Sequence, residues 1–123
     1  MQRRSLALSF RDAFRGVGHV IGTQRNARLQ CAIGTVTLIT AGALQLPPRD
    51  WAVLALTIGA VLAAETANTA IETIVNVISP ELSEAARIAK DAAAGAVLLL
   101  ATAAVAVGLL ILGPPLWNLL LKA

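Results

Sequence analysis

The chain has 123 residues, 57% of them hydrophobic and 14% charged, with a mean hydropathy of +0.74. Soluble domains carry roughly 25% charged residues, so the composition excludes an ordinary water-soluble domain and points to a helical bundle in a bilayer. The net charge of +3 is concentrated at one end: Arg3, Arg4, Arg11, Arg15, Arg25 and Arg28 are set against one acid, Asp12, within the first 28 residues. With no aromatic interleaving or nucleic-acid motif, that segment reads as a headgroup anchor rather than a nucleic-acid surface.

In chain order, residues 5–23 carry Leu6, Phe10, Ala13, Phe14, Val17 and Ile21 at helical spacing, with the arginines off that stripe. This predicts an amphipathic helix lying on the membrane surface. Gly16, Gly18 and Gly22 weaken the helix and predict a break near them. Their spacing does not fit a dinucleotide or phosphate loop. Arg11, Asp12 and Arg15 interrupt any apolar run behind Arg3 and Arg4, so a cleavable leader is not expected. His19 has no His or Cys partner for a metal and reads as a headgroup-level residue.

The first membrane helix is expected over 29–46, whose eighteen residues rise about 27 Å, just enough to cross. Cys31, the one cysteine, reads as a small apolar filler. Pro47-Pro48-Arg49-Asp50 predicts a turn, and Trp51 an interfacial anchor. The second membrane helix is expected over 51–78, ended by Ser79-Pro80. A charged connection from Glu81 to Asp91 leads into a third, 88–112, uncharged from Ala92 onward and stopped by Gly113-Pro114-Pro115. The expected fold is thus all-α and integral to the membrane: one domain over 1–123, with a surface helix and three transmembrane helices. The basic N-terminus is expected on the cytoplasmic side. That orientation gathers the far end of the second helix, the Glu81–Asp91 connection and the N-terminal arginines on one side.

Within the second helix, an uncharged run from Trp51 to Ala64 is followed by Glu65, Asn68, Glu72 and Asn76. The spacing puts all four on one helical face. Ionisable groups at membrane depth are costly and mark functional sites. Carboxylates are hard ligands suited to Mg²⁺ shared with phosphate oxygens, and one can serve as a general base. The plainer reading of the stripe is structural, an ion pair or hydrogen bonds between helices. Lys90-Asp91 adds a cation and a carboxylate at the next boundary. Alone, such a pair reads as snorkelling and helix N-terminal charge.

Glu65-Thr-Ala-Asn68-Thr-Ala-Ile-Glu72-Thr-Ile-Val-Asn76, followed by Ala89-Lys90-Asp91-Ala-Ala-Ala-Gly-Ala-Val97, resembles the signature of the prokaryotic integral-membrane diacylglycerol kinase/undecaprenol kinase family. Phe10-Arg-Asp-Ala-Phe-Arg-Gly16 resembles its surface helix, and Thr23-Gln24-Arg25-Asn26-Ala27-Arg28 its T-E-R-N-x-R segment, so the likeness covers almost the whole chain. The resemblance implies a homotrimer that uses ATP and Mg²⁺ to phosphorylate a lipid alcohol, undecaprenol or diacylglycerol, at the cytoplasmic face of the inner membrane. By the same resemblance Glu65 is the catalytic base and Glu72 a metal ligand, with Gln24 at the family's second metal position. Asn68, Asn76, Lys90, Asp91 and Arg28 fall at substrate- and ATP-binding positions. The N-terminal segment looks closer to the undecaprenol branch.

Three positions depart from the family pattern. Gln24 stands where a glutamate is usual, Asn76 where the signature has aspartate, and Gln30 where relatives often carry histidine. Two anionic groups are thereby missing, which implies weaker metal binding and a higher Mg²⁺ requirement. Two other readings stand beside the kinase: a catalytically degenerate assembly protein of the same fold, and a small ion conductor lined by Glu65 and Glu72. The latter lacks matching charges on the other two spans.

Overall fold

The computed structural model describes residues 4–123; Arg3 of the basic segment lies outside them. Among the described residues there are four α-helices and no strand: α1 (Leu6–Thr23), α2 (Arg25–Ala43), α3 (Pro48–Ile78) and α4 (Glu84–Lys122). Their bounds follow from local capping chemistry. The Ser5 hydroxyl accepts from the Leu8 N–H at 3.4 Å and starts α1. The expected break at the glycines does not occur. The helix runs through all three to Gln24, which leaves the helical region at φ −99°, ψ 119°. A glycine costs a helix only about 1 kcal/mol, and docking offsets this: Val20 is buried, and α1 packs on both α2 and α3.

Because Gln24 is a one-residue joint, α2 begins at Arg25 rather than at 29. It also stops at Ala43, short of 46. The Leu46 N–H donates to Ala41 O at 3.2 Å and the Gln45 N–H to Gly42 O at 3.1 Å, a Schellman closure with Gln45 at φ 52°. Pro48 sits at the start of α3, where its missing N–H costs no bond, so the helix starts three residues before Trp51. It ends at Ile78, as the sequence predicts. Leu82 then turns the chain at φ 51°, and the Ser83 hydroxyl accepts from the Ala86 N–H at 3.2 Å to cap α4.

The largest departure is α4, expected over 88–112 but found over Glu84–Lys122, with Pro114 and Pro115 inside it. The two prolines remove the donors to the carbonyls of Leu110 and Ile111. Ending the helix there would orphan four carbonyls in a segment that, Asn118 apart, stays apolar through Leu121. Continuation is the less costly course where lipid offers no hydrogen bonds.

Helices α3 and α4 are each long and apolar enough to cross a membrane. Their 31 and 39 residues rise about 46 and 58 Å, more than a hydrocarbon core of about 30 Å requires. Helix α3 is central and packs along α4 on one side and α2 on the other. Seven-residue spacing marks the seams: Ala27, Gly34 and Ala41 on α2, Leu54, Val61 and Val75 on α3, Ala86 and Ala93 on α4 are all buried. Small residues let helices approach closely without a large apolar core. A Cβ on Gly34 would stand 3.1 Å from Ile58 Cγ2, and one on Gly42 3.8 Å from the Trp51 ring, which fixes the antiparallel register of α2 on α3. All nine threonines donate their hydroxyl to the carbonyl four residues earlier, at 2.7–2.9 Å. No threonine hydroxyl is therefore left needing water. Leu29, Ile33, Val36 and Ile39 of α2 and Leu98, Leu99, Leu109 and Leu110 of α4 are exposed. This is the surface of a membrane protein.

Candidate functional site

The site grows out of the α3 seam. Ile58 packs on Gly34 of α2. One heptad later on α3 comes Glu65, and one heptad earlier on α2 comes Ala27. The shared register sets the two level. Ala27 is 1% exposed and Glu65 only 3%. A carboxylate thus occupies a seam position that an apolar residue fills elsewhere. Thr69 is the other buried polar residue among those described, and its hydroxyl is already spent on the Glu65 carbonyl at 2.9 Å.

Among the described residues, three buried side-chain oxygens have no hydrogen-bond partner: Glu65 Oε2, Asn68 Oδ1 and Gln30 Oε1. All three are acceptors, and an unpaired buried acceptor is costly. The region therefore calls for a donor or a cation that the chain does not supply. Glu72, two turns beyond Glu65, is half-buried.

Further along α3, Asn76 Oδ1 accepts from Lys90 Nζ of α4 at 3.1 Å, which joins two of the predicted site residues across the helix pair. Asp91 does not join them. Its carboxylate takes Arg87 Nη1 at 3.0 Å, and Arg87 Nη2 reaches Glu84 at 2.6 Å. Arg28 turns back on α1, donating to Gly22 O at 3.0 Å in the last turn. Gln24 donates through Nε2 to Thr23 Oγ1 at 3.3 Å, leaving its Oε1 as the end with ligand capacity.

No three His, Cys, Asp or Glu side chains gather as a metal site among the described residues. The donors available for Mg²⁺ are the Glu72 carboxylate, the Gln24 carboxamide and the unpartnered Asn68 oxygen. Such a set fits an ion that keeps water and phosphate oxygens as its other ligands. It does not form a self-sufficient protein cage.

An apolar groove of about 450 Å³ runs over α3 between α2 and α4, lined by Gln30, Gly34, Leu54, Val61, Ala104 and Leu112 among others. Val61, one turn from Glu65, lies on its wall, so the groove ends beside the buried carboxylate. Sequence reasoning gave Arg87 no role and noted Gln30 only as a departure. The Glu84-Arg87-Asp91 spacing was a readable signal, since residues three and four apart meet on a helix. The burial of Gln30 depends on how α2 meets α3 and α4 and had no local signal.

Residues 11–112 match the family described as prokaryotic diacylglycerol kinase. The chain belongs to that family, and so to the lipid kinases. Within the family it is similar to the diacylglycerol kinase of Synechocystis sp., with 45% identity over 117 residues, covering 94% of this chain and 67% of that protein. It is also similar to the undecaprenol kinase of Bacillus subtilis, with 38% identity over 108 residues, covering 88% of each. No solved structure matches the chain.

Proposed function

We propose that this chain transfers the γ-phosphoryl group of ATP, with Mg²⁺, to the hydroxyl of a membrane lipid alcohol at the cytoplasmic face of the inner membrane. The observation that carries this reading is Glu65, 3% exposed and with Oε2 unpartnered. It lies fourteen residues beyond the interfacial Trp51 on α3, a rise of about 21 Å, past the midplane of a hydrocarbon core about 30 Å thick. A lipid hydroxyl can reach that depth from within the bilayer, and a nucleotide can approach from the far side.

Helix α2 supplies the third crossing in this reading. Its 19 residues rise about 28 Å, and its threonine hydroxyls are satisfied internally. The arginines ahead of it set the N-terminus in the cytoplasm. Glu72 and Asn76 then protrude toward the cytoplasmic surface, with Lys90 beside them.

Phosphoryl transfer asks a protein mainly for position and charge neutralisation. The lipid hydroxyl donates to Glu65 Oε2, which takes its proton as the hydroxyl oxygen bonds to the γ-phosphorus. The bond from that phosphorus to the β–γ bridging oxygen breaks, and ADP leaves with that oxygen. Asn68 orients the reacting groups. Lys90 binds phosphate, Asn76 holds it at 3.1 Å, and Arg28 is assigned to nucleotide binding by the family pattern. Glu72, with Gln24, would hold the metal ion. When bound, Mg²⁺ supplies charge neutralisation on the phosphate oxygens.

The donors available within one chain make an incomplete site, and much of its apolar surface is uncovered. Both features support a homotrimer in which neighbouring copies complete the site. The groove beside Glu65 suits either a polyprenyl or a diacyl chain, and the two relatives divide between those substrates. Protein in vesicles should release ADP only when Mg²⁺, ATP and a lipid alcohol are all present. ADP release that does not depend on the lipid would refute the proposal.

A further inference from the structure

Among the described residues Lys90, where α4 meets the polar end of α3, is a cation with no acid partner. The nearby carboxylates of α4, Glu84 and Asp91, are both taken by Arg87, at 2.6 and 3.0 Å. Asp91 adjoins Lys90 in sequence, but neighbouring residues point about 100° apart around a helix and do not face each other. No carboxylate lies within ion-pair distance of Lys90 among the described residues. Its ammonium is held instead by the neutral Asn76 oxygen at 3.1 Å. An ammonium has only donors, so Asn76 must present its oxygen to it, which leaves the two Nδ2 hydrogens as further donors.

We infer that Asn76 is a positioning residue: it fixes Lys90 across the α3–α4 pair by a neutral hydrogen bond, and with Arg87 it keeps the ammonium charge uncompensated for a nucleotide phosphate. The inference rests on the kinase reading. It also changes what the missing carboxylate at this position means. Asn76 leaves Lys90 with its full charge, and its own amide adds donors that suit phosphate oxygens. An aspartate would neutralise Lys90 and offer no donor. The lost charge at residue 76 thus bears on nucleotide binding and not on the metal, whereas the lost charge at Gln24 bears on the metal.

The test uses the full chain in lipid nanodiscs, with equilibrium binding of Mg·ATP measured beside lipid phosphorylation. Asn76→Asp is expected to weaken Mg·ATP binding roughly fivefold, through one added negative charge close to the phosphates. That loss should shrink in high salt and should raise KM for Mg·ATP by a larger factor than it lowers kcat. With Lys90→Met already present, Asn76→Ala should cost no further affinity. Arg87→Gln, which leaves Asp91 uncompensated, should weaken binding in the same direction as Asn76→Asp. Independent, additive losses for Asn76→Ala and Lys90→Met would overturn the inference. So would an Asn76→Asp variant that binds Mg·ATP as tightly as wild type or needs less Mg²⁺ to bind it. Wild-type protein that binds Mg·ATP but phosphorylates no lipid would sink the kinase reading, while the binding comparison still decides the role of Asn76. Wild-type protein that binds no Mg·ATP would overturn both.

Discussion

Glu65→Gln tests the division of labour on α3. The change keeps the shape of the side chain but removes the base. It acts at a side chain that is 3% exposed and whose Oε2 has no partner. Loss of a positioned general base costs roughly 10²–10⁴ in rate, or about 3–5 kcal/mol of transition-state stabilisation. The whole loss should fall on kcat. Asn76 and Lys90, eleven and twenty-five residues further along the chain, form their contact without Glu65, so Mg·ATP affinity should change little. Stability should move the other way. A buried carboxylate with an unpartnered oxygen is a liability to the fold, so Glu65→Leu should raise the thermal midpoint as it abolishes turnover. The assay is phosphate transfer to lipid in vesicles, with nucleotide binding and thermal unfolding measured on the same preparations. A Glu65→Gln variant that keeps more than about a tenth of wild-type kcat would refute the base assignment.

Further predictions concern the metal and the seam. Glu72→Gln should weaken Mg·ATP binding as well as turnover, seen as a raised Mg²⁺ concentration for half-maximal binding; an unchanged Mg²⁺ requirement would remove Glu72 from the metal. Gln24→Glu, which restores a carboxylate at the joint between α1 and α2, should lower the Mg²⁺ needed for half-maximal rate, as read by Mg²⁺ titration. Gly34→Ala gains about 1 kcal/mol of helix propensity, but its Cβ would stand 3.1 Å from Ile58 Cγ2, so the Ile58 side chain in the α2–α3 seam would have to give by a few tenths of an ångström. Overpacking of this kind costs about 1–3 kcal/mol, so a net loss of thermal stability is expected, whereas Gly16→Ala, with open space around it, should not destabilise.

Much of the architecture was legible because lipid leaves few choices. The uncharged run from Trp51 to Ala64 and the glutamates after it located α3 and its polar face directly. The ends were harder to read. Pro114 and Pro115 look like a stop in any sequence, and only the apolar residues around Asn118, from Leu116 to Leu121, hinted that the helix would continue. The start of α2 was missed by four residues because its first turn, Arg25 to Arg28, is polar, and the single-residue joint at Gln24 leaves no linker to read. At the site, the face shared by Glu65, Asn68, Glu72 and Asn76 follows from helical spacing alone. That Asn76 holds Lys90 depends on how α3 meets α4 and is not a property of a local segment. That Arg87 takes Asp91 is local, an i, i+4 pair within α4 that the spacing already carried.

The central claim is tested most directly by presenting the reconstituted protein with Mg²⁺ and γ-labelled ATP, alongside undecaprenol and diacylglycerol in separate vesicles, with Glu65→Gln as the control. The proposed chemistry predicts label in the lipid phase with at least one of the two alcohols, and none with the variant. Label that stays in the aqueous phase with both lipids, across a wide Mg²⁺ range, would contradict it and favour a catalytically silent assembly protein of the same fold.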